Sequence, residues 1–93
     1  MLADFIPDGE NLKLKCLKEH EQAPRKETLD WAQQAKDYLA KSFGDDYANI
    51  FLNSDGLGAI ASTIRSIEHR RLYVFITHRL SRIQQILTEL RTN

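Results

Sequence analysis

The sequence has little of what cross-links a chain, interrupts a helix or crosses a membrane. One cysteine, Cys16, stands alone among 93 residues, so the chain has no disulfide of its own and no cysteine-built zinc site. Two prolines and four glycines leave few points at which a helix must stop. No apolar run approaches the ~20 residues that a membrane-spanning helix needs. Net charge is missing too: 13 Lys+Arg face 13 Asp+Glu, which argues against a polybasic nucleic-acid tail and against an acidic solvating one. Residues 1–8 carry neither the basic stretch nor the long apolar stretch of a secretory signal. The expectation is one cytoplasmic domain.

What is present is a 42% hydrophobic chain with enough apolar surface for one small core. A core of this size leaves a stability of roughly 3–5 kcal/mol, so a second copy is a natural way to bury more. The charge is balanced in sum and divided in distribution. Residues 1–56 carry eleven acids and seven bases, a balance of −4; residues 57–93 carry six arginines, no lysine and two acids, a balance of +4. Halves of opposite sign attract each other, within one fold or between two copies.

Periodicity predicts helices throughout. Pro7, Asp8 and Gly9 read as a turn or a helix start. Residues 12–16 alternate as a strand does, yet Leu12, Cys16 and Leu17 also share a helical face; a lone strand has nothing to pair with, so a helix is expected. Residues 21–26 read as a linker, because Pro24 disfavours helix at Ala23. Thr28 is a candidate N-cap for the next helix, with Asp30 in its first turn. There Trp31, Ala32, Ala35, Tyr38, Leu39, Ser42 and Phe43 share one arc, opposite Asp30, Gln33, Gln34, Asp37 and Lys41. Gly44 is its expected stop, and Asp45 or Asp46 caps a short helix in which Ile50, Phe51 and Leu52 seek cover. Residues 53–56 are a turn by composition, and 57–64 form a close-packed helical turn or an ordered loop. A long helix is expected over residues 66–91. The fold class is all-α, a three- to four-helix bundle closed by that C-terminal helix.

The search for chemistry returns few constellations. No GxGxxG or phosphate-binding loop occurs, no serine sits in a nucleophile elbow, and the lysines flanking Cys16 are outweighed by its place among apolar residues. His69 and His78 lie nine residues apart, on opposite sides of one helix. No catalytic residue, metal or cofactor is expected. In the long helix Leu72, Ile76, Leu80, Ile83, Leu87 and Leu90 follow spacings of four and three, close to a coiled-coil rhythm; these are the candidate assembly residues. Arg79 falls inside the apolar arc, where its guanidinium needs a counter-charge; Asp37, Asp45 and Asp46 are candidates, and a bound anion or acidic partner is the alternative. Arg71, His78 and Arg82 form a second stripe beside Val74. With Arg70 and Arg79 they make a basic surface that suits a protein partner, or else an anion or nucleic acid.

Residues 28–52 hold Trp31, then Tyr38-Leu39, then Phe43-Gly44-Asp45, then Phe51, and Phe5-Ile6 with residues 9–12 precede them. This pattern resembles a small helical accessory segment of bacterial defence and signalling proteins, including some with TIR or nucleotide-sensing domains. The resemblance brings no catalytic or ligand residues. It implies an interaction or sensing module, so the expected function is a self-associating, non-catalytic adaptor in bacterial or phage defence or regulation.

Overall fold

The computed structural model describes residues 1–53 and 63–92. A 3-10 turn, Leu2–Asp4, leads into α1 (Phe5–Cys16), followed by α2 (Arg25–Phe43), α3 (Asp45–Leu52) and α4 (Ile67–Thr92). The described residues contain no strand, and none of their helices is long and apolar enough to cross a membrane. α4 has 26 residues, about 39 Å at 1.5 Å per residue, and the molecule measures 43 × 24 × 18 Å. α4 packs mainly on α1, while α3 folds back on α2 and also touches α4. The expected turn at 53–56 and the stretch 57–64 fall largely outside the described residues; Ile64 is described, and it is buried.

Of the two readings of Pro7, Asp8 and Gly9, a turn or a helix start, α1 takes the second and begins two residues earlier, at Phe5. Pro7 lies in its first turn, where its missing N–H has no helical partner to lose. Gly9 lies in its body because two neighbours press on it: a Cβ there would stand 2.7 Å from Trp31 Cζ2 and 2.6 Å from Leu80 Cδ2. The Trp31 indole crosses this gap and donates its N–H to the Phe5 carbonyl at 3.0 Å. The strand-like alternation at 12–16 is helix, with Leu12 and Cys16 buried. Leu17 does not share their face; it is half exposed, as is Leu14.

α2 begins three residues before the expected cap. Pro24 occupies the N-cap position and Thr28 is already helical. The Thr28 amide and hydroxyl both turn back to the Pro24 carbonyl, at 3.0 and 2.6 Å, so the hydroxyl serves a bond inside the helix and caps nothing ahead of it. Ala23 and Pro24 are both buried, which pins the end of the linker. The predicted arc holds for Trp31, Ala32, Ala35 and Leu39, with Tyr38 half-buried; Ser42 and Phe43 at its end are exposed. Gly44 ends the helix at φ +103°, a left-handed value that a side chain would strain. In α3 Phe51 and Ala48 are buried, whereas Leu52 remains exposed. Ile76, Leu80, Ile83 and Ile86 of α4 complete one continuous core with residues of α1, α2 and α3.

Candidate functional site

Two polar clusters sit on α4, one at its start and one near its middle. At the start, Ser66 precedes the helix and its carbonyl accepts the Arg70 amide at 2.9 Å. The Ser66 hydroxyl lies 2.7 Å from His69 Nδ1 and 3.4 Å from the His69 amide. His69 Nε2 reaches the Glu21 carbonyl at 2.9 Å. A carbonyl only accepts, so Nε2 carries a proton and donates it to Glu21. Glu19 adds a second tie from the same linker: Oε1 accepts the amides of Arg65 and Ser66 at 2.7 and 2.6 Å. Amides at a helix start have no partner within the helix itself and favour an anion. The Ser66 amide first, then that of Arg65 with the nearby charges of His69 and Arg65, hold the Glu19 carboxyl below the ordinary carboxylate value, against some loss of water. Arg70 turns back on the chain, with Nε and one terminal nitrogen donating to the Ile64 carbonyl at 2.9 and 2.7 Å.

The middle of α4 differs. Arg79 is half-buried, as its place in the apolar arc predicts. Its guanidinium lies 4.5 Å from the Phe75 ring centroid and 5.7 Å from that of Phe51, an arrangement that attracts a cation to the ring faces. No counter-charge comes with it. Among the described residues the ion pairs are the N-terminal amine with Asp4 and Lys13 with Glu10, and Asp37 takes a hydrogen bond from Gln33 at 2.9 Å. The expected pairing of Arg79 with Asp37, Asp45 or Asp46 is therefore not made, because the rings of Phe51 and Phe75 occupy its flanks. Arg79 Nε is closed off from water with no hydrogen-bond partner, and so is His78 Nε2 on the preceding residue. Burial first, then the neighbouring Arg82 charge, pulls the Arg79 guanidinium below its ordinary value.

The remaining predicted residues divide by exposure. Ile76, Leu80 and Ile83 are buried in the chain's own core, while Leu72, Leu87 and Leu90 are half-buried at its margin. Arg71 is exposed, but His78 and Arg82 of the same stripe are half-buried. Arg82 donates to the Asn53 carbonyl at 2.7 Å and to Gln85 at 2.7 Å. Arg70 and Arg82 thus fasten the ends of the α3–α4 connection to α4. Cys16 is fully buried, and its thiol is pushed up to about 11 by that burial, which leaves it a packed apolar group with no thiolate to react. An open groove of about 820 Å3 follows the end of α1 into the start of α2, lined by Lys15, Lys18, Arg25 and Lys26 and also by Glu21, Glu27 and Asp30; the mixed signs select no ligand.

Sequence reasoning missed Glu19, Ser66 and His69 as a unit. Ser66 just before an apolar-periodic run is a local sign of a helix cap. Glu19 lies 46 residues from Arg65, and no local pattern marks that pairing. No protein-family model, curated protein or solved structure matches the chain.

Proposed function

We propose that this chain is a small non-catalytic helical interaction module that associates with itself. The observation that carries the reading is the division of charge, −4 against +4 between the two segments, together with the ion pairs seen among the described residues. Among the described residues, both ion pairs lie inside the acidic segment, and the closest tie between the segments sets a carboxylate on backbone amides. Two copies can place acidic surface against basic surface, with both contacts of a two-fold dimer forming at once. Leu72, Leu87 and Leu90, half-buried at the core margin, supply apolar area beside the arginines. A cytoplasmic role in bacterial or phage defence or regulation belongs to this reading through the resemblance of residues 28–52.

The alternative, an anion- or nucleic-acid-binding regulator, draws less support. Arg70 and Arg82 spend donors on backbone carbonyls, and a phosphate surface needs those donors free. Sedimentation equilibrium of the intact chain tests the reading. The expected result is a reversible oligomer that weakens as salt rises past about 0.15 M, where the screening length falls to about 8 Å. A chain that stays monomeric at about 1 mM has no self-association stronger than about −4 kcal/mol, and the reading fails.

A further inference from the structure

We propose that Arg79 is a carboxylate-binding site filled by Asp45 and Asp46 of a second copy of the chain. The inference rests on the self-association proposed above and names where it occurs.

Among the described residues no acid pairs with Arg79, and ring faces are what its charge meets. Its Nε is shut off from water and so from any outside acceptor, which leaves the terminal nitrogens of the half-buried side chain to meet one, and a second cation, Arg82, opposes its charge. An apolar side chain of similar size suits such a position better than an unpaired cation does. The same surroundings suit a recognition site. The Phe75 and Phe51 rings, 4.5 and 5.7 Å away, flank the guanidinium and cover part of it. The two terminal nitrogens of the planar group can meet a carboxylate end-on through two parallel hydrogen bonds.

The acids within the chain point to the occupant. Asp4, Glu10, Glu19 and Asp37 already have partners, and the exposed carboxylates of Asp8, Glu21, Glu27, Asp30 and Glu68 lie outside α3, the helix that supplies Phe51 to Arg79. Asp45 and Asp46 stand exposed in the first turn of α3, and no hydrogen bond or ion pair to another described side chain engages them. They also lie on the helix whose Phe51 supports Arg79. Phe51 follows Asp46 by five residues, about 7–8 Å along the helix axis. A two-fold axis passing between acid pair and cation brings Arg79 of each copy onto the acids of the other, so a single operation makes both contacts.

Sedimentation velocity with thermal melts tests this on full-length chains. Arg79→Leu is expected to keep or raise the melting temperature and to weaken self-association at least about tenfold, equivalent to about 1.4 kcal/mol. Arg79→Lys is expected to weaken it as well, since an ammonium lacks the fork. Charge exchange gives the positional check. A chain with Arg79→Glu and a chain with Asp45→Lys and Asp46→Lys are each expected to be monomeric alone and to pair when mixed. If the natural chain self-associates and Arg79→Leu leaves that unchanged, the site is wrong while the self-association stands. If the natural chain is monomeric, the underlying reading is what has failed. Loss of folding in Arg79→Leu makes Arg79 a fold residue and overturns the proposal, as does binding of duplex nucleic acid at physiological salt that Arg79→Leu abolishes.

Discussion

The start of α4 and its middle each place polar side chains against a packed interior, with opposite outcomes. At the start, the Ser66 hydroxyl, both ring nitrogens of His69 and the Glu19 carboxylate all find partners within the chain. Nine and ten residues on, His78 Nε2 and Arg79 Nε find none. The first cluster does internal work: it ties the α1–α2 linker to the α4 terminus and satisfies amides that a helix start leaves open. The second costs the isolated chain stability, because a buried donor without an acceptor forfeits its hydration. The difference separates polar groups that hold the fold from polar groups buried at a cost to it, and it does so within one helix.

Breaking the first cluster carries the largest expected effect on stability. His69→Ala removes a nearly buried ring and leaves the Glu21 carbonyl and Ser66 hydroxyl without partners, at an expected cost of about 1–3 kcal/mol. Denaturant unfolding with an unchanged m-value is the measurement; no loss would mean that water replaces the ring without penalty. Next comes the packing that lies between the clusters. Gly9→Ala drives a Cβ toward the Trp31 ring and Leu80, and overpacking of this kind costs about 1–3 kcal/mol. The ring and the tight helix contact leave little room to yield, so a thermal melt should show a lowered midpoint. Unchanged stability would show that α1 shifts freely on α4.

Arg79→Leu sharpens the comparison by its sign. Where His69→Ala destabilises, this substitution is expected to leave stability unchanged or raise it by about 1 kcal/mol; a loss above that would place Arg79 with the fold residues. The smallest effect concerns pH. Glu19 is held below its ordinary value in the folded chain, so its contribution is present above the unfolded carboxylate value and is lost as pH falls through the folded one. Amide exchange at Arg65 and Ser66 should therefore quicken, relative to the intrinsic rate, as the solution is acidified through that window. In Glu19→Gln the dependence should vanish; its persistence would assign it to another acid.

The helices were largely legible because their signals are local. The Trp31, Ala35 and Leu39 spacing is a face of α2, and Gly44 stops that helix for a reason visible in the sequence, since glycine takes the left-handed conformation without strain. The start of α2 was less legible. Thr28 has the chemistry of a cap, but its hydroxyl has a choice of partners, and the placement of Pro24 decided for the carbonyl behind it. The candidate site was half legible. Periodicity put Arg79 in the apolar arc beside Phe75, four residues back on the same helix; it did not show that Phe51 of α3 would stand where a carboxylate was expected.

The sequence by itself determined an all-α chain with a long apolar-striped C-terminal helix, a buried inert cysteine and charge divided between two segments. Each of these follows from residue type and spacing along a few turns. Only the tertiary structure decided that Gly9 is the close crossing of α1 on Trp31 and Leu80, that Glu19 and His69 fasten the linker to α4, and that Arg79 meets two rings and no acid. Those facts depend on which distant residues the packing brings within a few ångströms. A short-range pattern specifies the face a helix presents, whereas the neighbour across that face is set by how all the helices pack together.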